Sequence, residues 1–298
     1  MHIISNLKDT DGNLVSCHGG GFLFFEGWYY WYGENRKENI YVSCYKSKDL
    51  KNWIFCGNLI TTDTPQKSIN NYQLGLGDII HKVNIERPKV IYNKKTKKFV
   101  MWMHYENGKD YLSASCAIAT SSSPVGPFTY HGHFNPLGYM SRDCTLFIDN
   151  QKAYFISASN DNKDLHIYLL NEDYLSINKL VNKLFIGKLR EAPSIFKHND
   201  KYFILTSFCT GWFPNQCKYA YSTSLESEFS SLKNIGDEYT YKTQPTYILQ
   251  VQDKIIYIGD QWGGNNWSTL EEFDYFKSNY AYTYIIIDND KLTFADEV

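Results

Sequence analysis

Five segments of the chain share one grammar. Each opens on a polar residue, runs through a short apolar strand, turns at a polar or glycine-containing loop, and returns through a second, aromatic-rich strand. They are HGGGFLFFEGWYYWYGEN from His18, ERPKVIYNKKTKKFVMWMHYEN from Glu86, DCTLFIDNQKAYFISASN from Asp143, EAPSIFKHNDKYFILTSF from Glu191 and QPTYILQVQDKIIYIGDQW from Gln244. Their openings lie 68, 57, 48 and 53 residues apart, and 54 more residues follow Gln244. A unit of this size cannot bury its apolar faces alone, so successive units must stack. Five units of blade length predict an all-β chain folded as a five-bladed β-propeller, one domain over residues 1–298.

The turn chemistry agrees. Glu26-Gly27, Asn93 to Lys98, Asp149-Asn150, Asn199-Asp200 and Gln252-Asp253 each separate two β-like runs. Further strands follow in IYVSCYKS after Asn39, ASCAIATS after Ser113, LHIYLL after Asp164 and YAYSTS after Lys218, which brings each blade to about four strands. Helical periodicity is nearly absent. The stretch from Thr61 to Ile85 lengthens the first unit and is expected to form a loop over one face.

Composition removes several functions. A formal charge of -2 and a pI near 6.4 leave no basic field for a phosphate backbone, so no nucleic acid partner is expected. Seven cysteines, with no CxxC pair, indicate reduced and mostly buried thiols rather than a disulfide framework or a zinc site. The N-terminus lacks the basic and apolar segments of a secretory signal, and no run approaches a membrane span. A cytoplasmic protein without membrane contact is expected, or a secreted or periplasmic one if a leader was removed. The aromatic content, 17%, suits strands and would also suit a sugar-stacking cleft.

In a propeller the innermost strand of every blade lines the axial channel, so equivalent openings converge on one small volume. Here that volume receives His18, Glu86, Asp143, Glu191 and Gln244, three of them carboxylates. Ionising every member of such a crowded, partly desolvated set is costly, so at least one pKa should rise and yield a proton donor near neutral pH. A glycosidase general acid requires that property. Pro88, Pro193 and Pro245 fix the backbone just after three of the openings, and Gly19, Gly20 and Gly21 permit close approach beside His18.

Taken together, HGGGFLF…GWYYWYGEN, ERPKVIYN, SRDCTLFIDN, EAPSIFK, SFCTGW and IGDQW resemble glycoside hydrolase family 43, most closely its exo-β-1,3-galactanase branch, from about Gly12 to Trp262. The resemblance implies an inverting mechanism with Glu191 as general acid, Glu86 assisting, and Gln244 orienting the water as an imidic-acid tautomer. Where most of the family carries an aspartate base, this chain has His18, a departure the branch shares. The resemblance further implies sugar contacts at Glu34, Tyr111, Asp143, Asn162 and Thr210. Trp212 and Trp262, just beyond matched strands, could stack on a pyranose face. His104 and His166 read as surface or strand histidines because no partner at metal-ligand spacing accompanies them, and no metal or cofactor is expected.

These readings lead to an exo-acting β-1,3-galactosidase acting on an oligosaccharide or polysaccharide. An α-L-arabinofuranosidase or β-xylosidase would want an aspartate where His18 stands. A carbohydrate-binding or glycan-transferring propeller without hydrolysis is a third reading, and retention of Glu191 argues against a purely binding role. The sequence sets no oligomeric state.

Overall fold

A computed structural model describes residues 1–295. Four of its sheets are four-stranded meanders, each built in chain order from the axis outward: His18–Phe25 to Ile54–Thr61, Asn84–Asn93 to Thr129–Phe134, Cys144–Asp149 to Ile177–Leu184, and Arg190–His198 to Lys233–Asn234. The fifth runs Gln244–Val251, Lys254–Gln261, Asn279–Asp288, and takes its outermost strand, His2–Ile4, from the other end of the chain. Lys291–Phe294 extends the far end of Asn279–Asp288. The expected five-bladed propeller is thus present. Its closure by the N-terminal strand, where His2 pairs with Tyr282 and Ile4 with Tyr280, was not legible in a segment that lies outside the repeat.

The apolar runs are continuous because each central strand is covered on both sides. Along Lys98–Glu106, Phe99, Met101 and Met103 pack toward the first blade, while Val100 and Trp102 pack toward the third, as the two-residue period of a strand dictates. Five apolar clusters result, one at each junction between neighbouring blades. The junction of the fifth with the first joins Leu249 and Tyr280 to Phe22, Trp31 and Trp53. Fully burying one side chain such as Trp102 contributes on the order of 2–3 kcal/mol, so the ring is held by its junctions rather than by a single centre.

The first part of the stretch after Thr61 departs from expectation. It runs along the outer edge of the second blade, with Tyr130 N–H donating to Pro65 O at 2.8 Å and His133 N–H to Gln73 O at 2.8 Å. The Tyr72 ring stacks on Phe134 at 3.8 Å. Residues 65–73 thus occupy the hydrogen-bonding edge of an outer strand, and the stretch then returns toward the axis, where Lys82 Nζ donates to the backbone oxygen of Arg36 at 3.1 Å.

Candidate active site

The opening residues reach the axis through a shared irregularity. In the first, second and fourth blades the register slips just after the opening: His18 pairs with Glu34 but Gly21 with Tyr32, Glu86 with His104 but Lys89 with Trp102, Glu191 with Ser207 but Ser194 with Leu205. The residue after each opening is left-handed, at φ +60° for Gly19, +53° for Arg87 and +52° for Ala192. Such a bulge leaves a backbone position unpaired, and Pro88 and Pro193, which carry no N–H, fall within it. The strain turns the opening side chain into the channel. The glycines of the first blade serve close protein packing: a Cβ on Gly20 would lie 1.7 Å from Tyr32 O and one on Gly21 2.4 Å from the Lys89 side chain.

A pocket of about 340 Å³ lies at the axis, lined by Glu34, Glu86, Tyr111, Asp143, Asn162, Glu191, Trp212, Gln244 and Trp262 of the expected residues. Arg36, Arg87, His104, Arg142, Cys209 and Gly211 complete the lining. Glu86 is an anion within a cage of donors. Its Oε1 accepts from Arg36 at 2.7 Å and from the Tyr111 hydroxyl at 2.7 Å, and its Oε2 meets His104 Nδ1 at 3.1 Å. Burial alone would raise this carboxyl, but Arg36, His104 and Tyr111 outweigh it and hold the group well below the usual carboxylate range. Arg36 also binds Glu34 Oε2 at 3.0 Å and lies beneath the Tyr275 ring.

Glu191 occupies the equivalent position two blades on and behaves oppositely. Burial first, and then the like charge of Asp143, push its carboxyl up to about 8, against a smaller lowering by Arg87. Its neighbours are neutral amides: Asn162 Nδ2 donates to Oε2 at 3.2 Å and Gln244 Nε2 to Oε1 at 3.1 Å. Arg87 spends its charge on Asp143, at 2.9 Å, and on Gln244 Oε1. Gln244 is fully engaged, since Oε1 also accepts from Trp262 Nε1 at 2.8 Å and Nε2 also donates to Ser207 Oγ at 2.9 Å. Arg87 and Trp262 can only donate, which fixes the amide with its oxygen toward them.

Two expected contacts fall elsewhere. His18 is buried behind the pocket wall, its Nδ1 2.8 Å from Asp260 Oδ1 and its ring stacked on Tyr280 at 4.4 Å, so it ties the first blade to the fifth. Thr210 turns away from the pocket: its hydroxyl donates to Phe213 O at 2.6 Å and accepts from Asn215 at 2.7 Å within its own turn. Of the tryptophans, Trp262 is buried and holds Gln244, while Trp212 is the more exposed and stacks on Phe273 at 4.7 Å. Phe273 and Trp267 therefore back the pocket wall, Trp267 by donating to Trp262 O at 2.9 Å. Gln244 and Glu191, from neighbouring blades, are in contact.

His104, within Lys98–Glu106, is the strand histidine expected. It is 2% exposed and contacts Glu86 and Glu106, and His166, likewise a strand histidine, is bonded to Tyr168 at 2.9 Å. Glu86, His104 and Asp143 bring ligand-type atoms within 4.8 Å of one another. Arg36 and Arg87 already neutralise the two carboxylates, so the chemistry of the set is that of an ion-pair network. Arg36, Arg87, His104 and Ser207 were missed in the sequence. Arg87 and His104 had a signal: one follows an opening directly, and the other faces it when the hairpin is counted back from Asn93 and Lys98. Arg36, in a connecting turn, had none.

The model for Glycosyl hydrolases family 43 matches residues 23–250. An exo-β-1,3-galactanase from Clostridium thermocellum is 44% identical, with a TM-score of 0.87 over 98% of this chain and 65% of its own. One from Phanerochaete chrysosporium, solved with galactose, is 32% identical, with a TM-score of 0.85 over 98% and 66%. A family 43 β-1,3-galactosidase solved with galactodeoxynojirimycin is 32% identical, with a TM-score of 0.83 over 99% of both chains. The chain thus spans about two thirds of the length of the two galactanases. No curated protein matches.

Proposed function

The chain belongs to glycosyl hydrolase family 43, and from that premise we propose that it is an exo-acting β-galactosidase releasing terminal galactose from a β-1,3-linked galactan or oligosaccharide with inversion. The observation that carries the proposal is the contrast at the axis: Glu191 keeps its proton to about pH 8 while Glu86 stays ionised in the same pocket. That pairing of a poised acid with a fixed anion is what glycosidic cleavage requires. The pocket has the size of a short sugar, and Arg87 in its lining is backed by the buried Lys89 and Cys144, both against its carbonyl oxygen, which favours a chain end over a through-running polymer.

In this mechanism Glu191 protonates the departing glycosidic oxygen, and a water attacks from the opposite face of the sugar. Gln244 can hold that water only by releasing one of its four partners, Arg87 or Trp262 on Oε1 and Glu191 or Ser207 on Nε2, because its hydrogen-bonding capacity is full in the free protein. Glu86, with Arg36 and Tyr111 on Oε1 and His104 on Oε2, retains one Oε2 lone pair for a sugar hydroxyl. Trp212 offers an apolar face to the ring.

The test is hydrolysis of β-1,3-galactobiose and of aryl β-galactosides, α-L-arabinofuranosides and β-xylosides by the parent, Glu191→Gln and Gln244→Ala. Galactose release is expected from the parent and a loss of about 10²–10⁴-fold in turnover from Glu191→Gln, with galactose affinity retained. Turnover of arabinofuranosides or xylosides in preference to galactosides would overturn the substrate, and no turnover of any would overturn the activity.

A further inference from the structure

Behind Glu86 stands a chain of buried groups that the proposed chemistry does not itself use. His104 lies directly across the hairpin from Glu86, with Nδ1 3.1 Å from Glu86 Oε2 and Nε2 2.9 Å from Glu106 Oε1. Glu106 is fully buried, and its other oxygen accepts from Ala114 N–H at 2.9 Å. Glu106 and Ala114 are the two ends of the loop that carries Tyr111, whose hydroxyl donates to Glu86 Oε1 at 2.7 Å. One carboxylate thereby anchors both groups that hold Glu86 from its own blade.

We propose that His104 and Glu106 are positioning residues of the galactosidase reaction: the imidazole clamped between two carboxylates orients Glu86 toward the sugar, and Glu106 fastens the Tyr111 loop to the same point. The inference rests on the glycosidase reading above. Nε2 hydrogen-bonds Glu106, while Nδ1 stands 3.1 Å from Glu86 Oε2 outside hydrogen-bond geometry, an ion-pair contact between two carboxylates that a doubly protonated imidazole answers. Burial would push His104 down, but Glu106 and Glu86 outweigh it and lift it to about 9. The other groups around it are Asp143, paired with Arg87, and the neutral Tyr111 hydroxyl and Cys116 thiol. Arg36 occupies the far oxygen of Glu86. A merely structural histidine would need neither charge nor a second acid.

The experiment is an NMR titration of the His104 ring, assigned by its absence in His104→Gln, together with pH profiles of kcat/KM on β-1,3-galactobiose for the parent and Glu106→Gln. In the parent the ring is expected to stay doubly protonated from pH 6 to 8. In Glu106→Gln it is expected to titrate within that range, and kcat/KM to lose about tenfold more than the parent between those limits. A neutral His104 at pH 7 in the parent would overturn the clamp, and that measurement needs no variant to fold. A Glu106→Gln profile that superimposes on the parent after scaling would reduce Glu106 to a packing residue. A parent inert on every glycoside would instead sink the glycosidase reading, while the ring titration would still decide the clamp.

Discussion

Glu86 and Glu191 occupy equivalent positions in two blades. Each lies near the start of an innermost strand, each precedes a left-handed residue and a proline in a register slip, and burial acts on each in the same direction. Yet one is held as an anion and the other holds its proton to about pH 8. The difference lies in the company the fold delivers. Glu86 receives Arg36 from a turn of the first blade, His104 from its partner strand and Tyr111 from a loop. Glu191 receives Asp143 as a like charge and two neutral amides, and the nearest cation, Arg87, is shared among Asp143 and Gln244. A repeat can supply two identical holders, and the surroundings then assign opposite chemical roles.

The sharpest way to break this contrast is to remove the cation that only one side has. Arg36→Leu leaves Glu34 and Glu86 as neighbouring buried acids, with His104 as the remaining countercharge on Glu86. Removing one partner of a buried pair costs about 3 kcal/mol or more. Glu86 should then keep a proton into the working range, so the acid limb of kcat/KM moves upward and activity near pH 6 falls about 100-fold. An unchanged acid limb in a folded Arg36→Leu protein would show that His104 and Tyr111 suffice.

Asp143→Asn attacks the contrast from the other side. Without the like charge, and with Arg87 freed from its pair, Glu191 loses the second cause of its elevation and should ionise earlier. The alkaline limb of kcat/KM is expected to move down by about one unit, roughly fivefold in activity at pH 8. Should that limb stay in place, burial alone would account for the proton on Glu191.

What could be read in advance follows from the same division. The holders were legible, because five openings at blade spacing repeat in the chain and a propeller sends equivalent positions to one axis. The company was mostly not. Arg36 sits in a turn without a counterpart in other blades, and Glu106 matters only through a loop closure. His18 satisfied the repeat yet lies behind the wall, since its partner Asp260 comes from a second strand of the last blade, to which no sequence pattern linked it. Thr210 lay in a matched motif whose local turn consumes its hydroxyl. The closing strand His2–Ile4 is too short and too far from its partner in sequence to announce itself. Periodicity reveals where positions converge, and long-range pairs decide what stands beside them.

The smallest expected effect concerns stability rather than rate. A glutamate in an unfolded chain ionises near pH 4.5, whereas Glu191 in the folded protein does so near 8. Between those values the folded state binds more protons than the unfolded state, so this group makes stability fall as pH rises. Glu191→Gln removes that dependence without emptying the site, and its single amide oxygen keeps one of the two contacts, since Asn162 and Gln244 donate to different carboxylate oxygens. The inactive variant should therefore melt a few degrees higher than the parent at pH 8, at about 2–4 °C per kcal/mol for a chain of this size, with the gain gone by pH 4. Glu86→Gln should do the reverse, because its carboxylate is stabilised by charges that an amide cannot answer. Melting curves of the two variants at pH 4 and 8 measure both signs, and matching shifts in the two would mean that the paired acids share one environment after all.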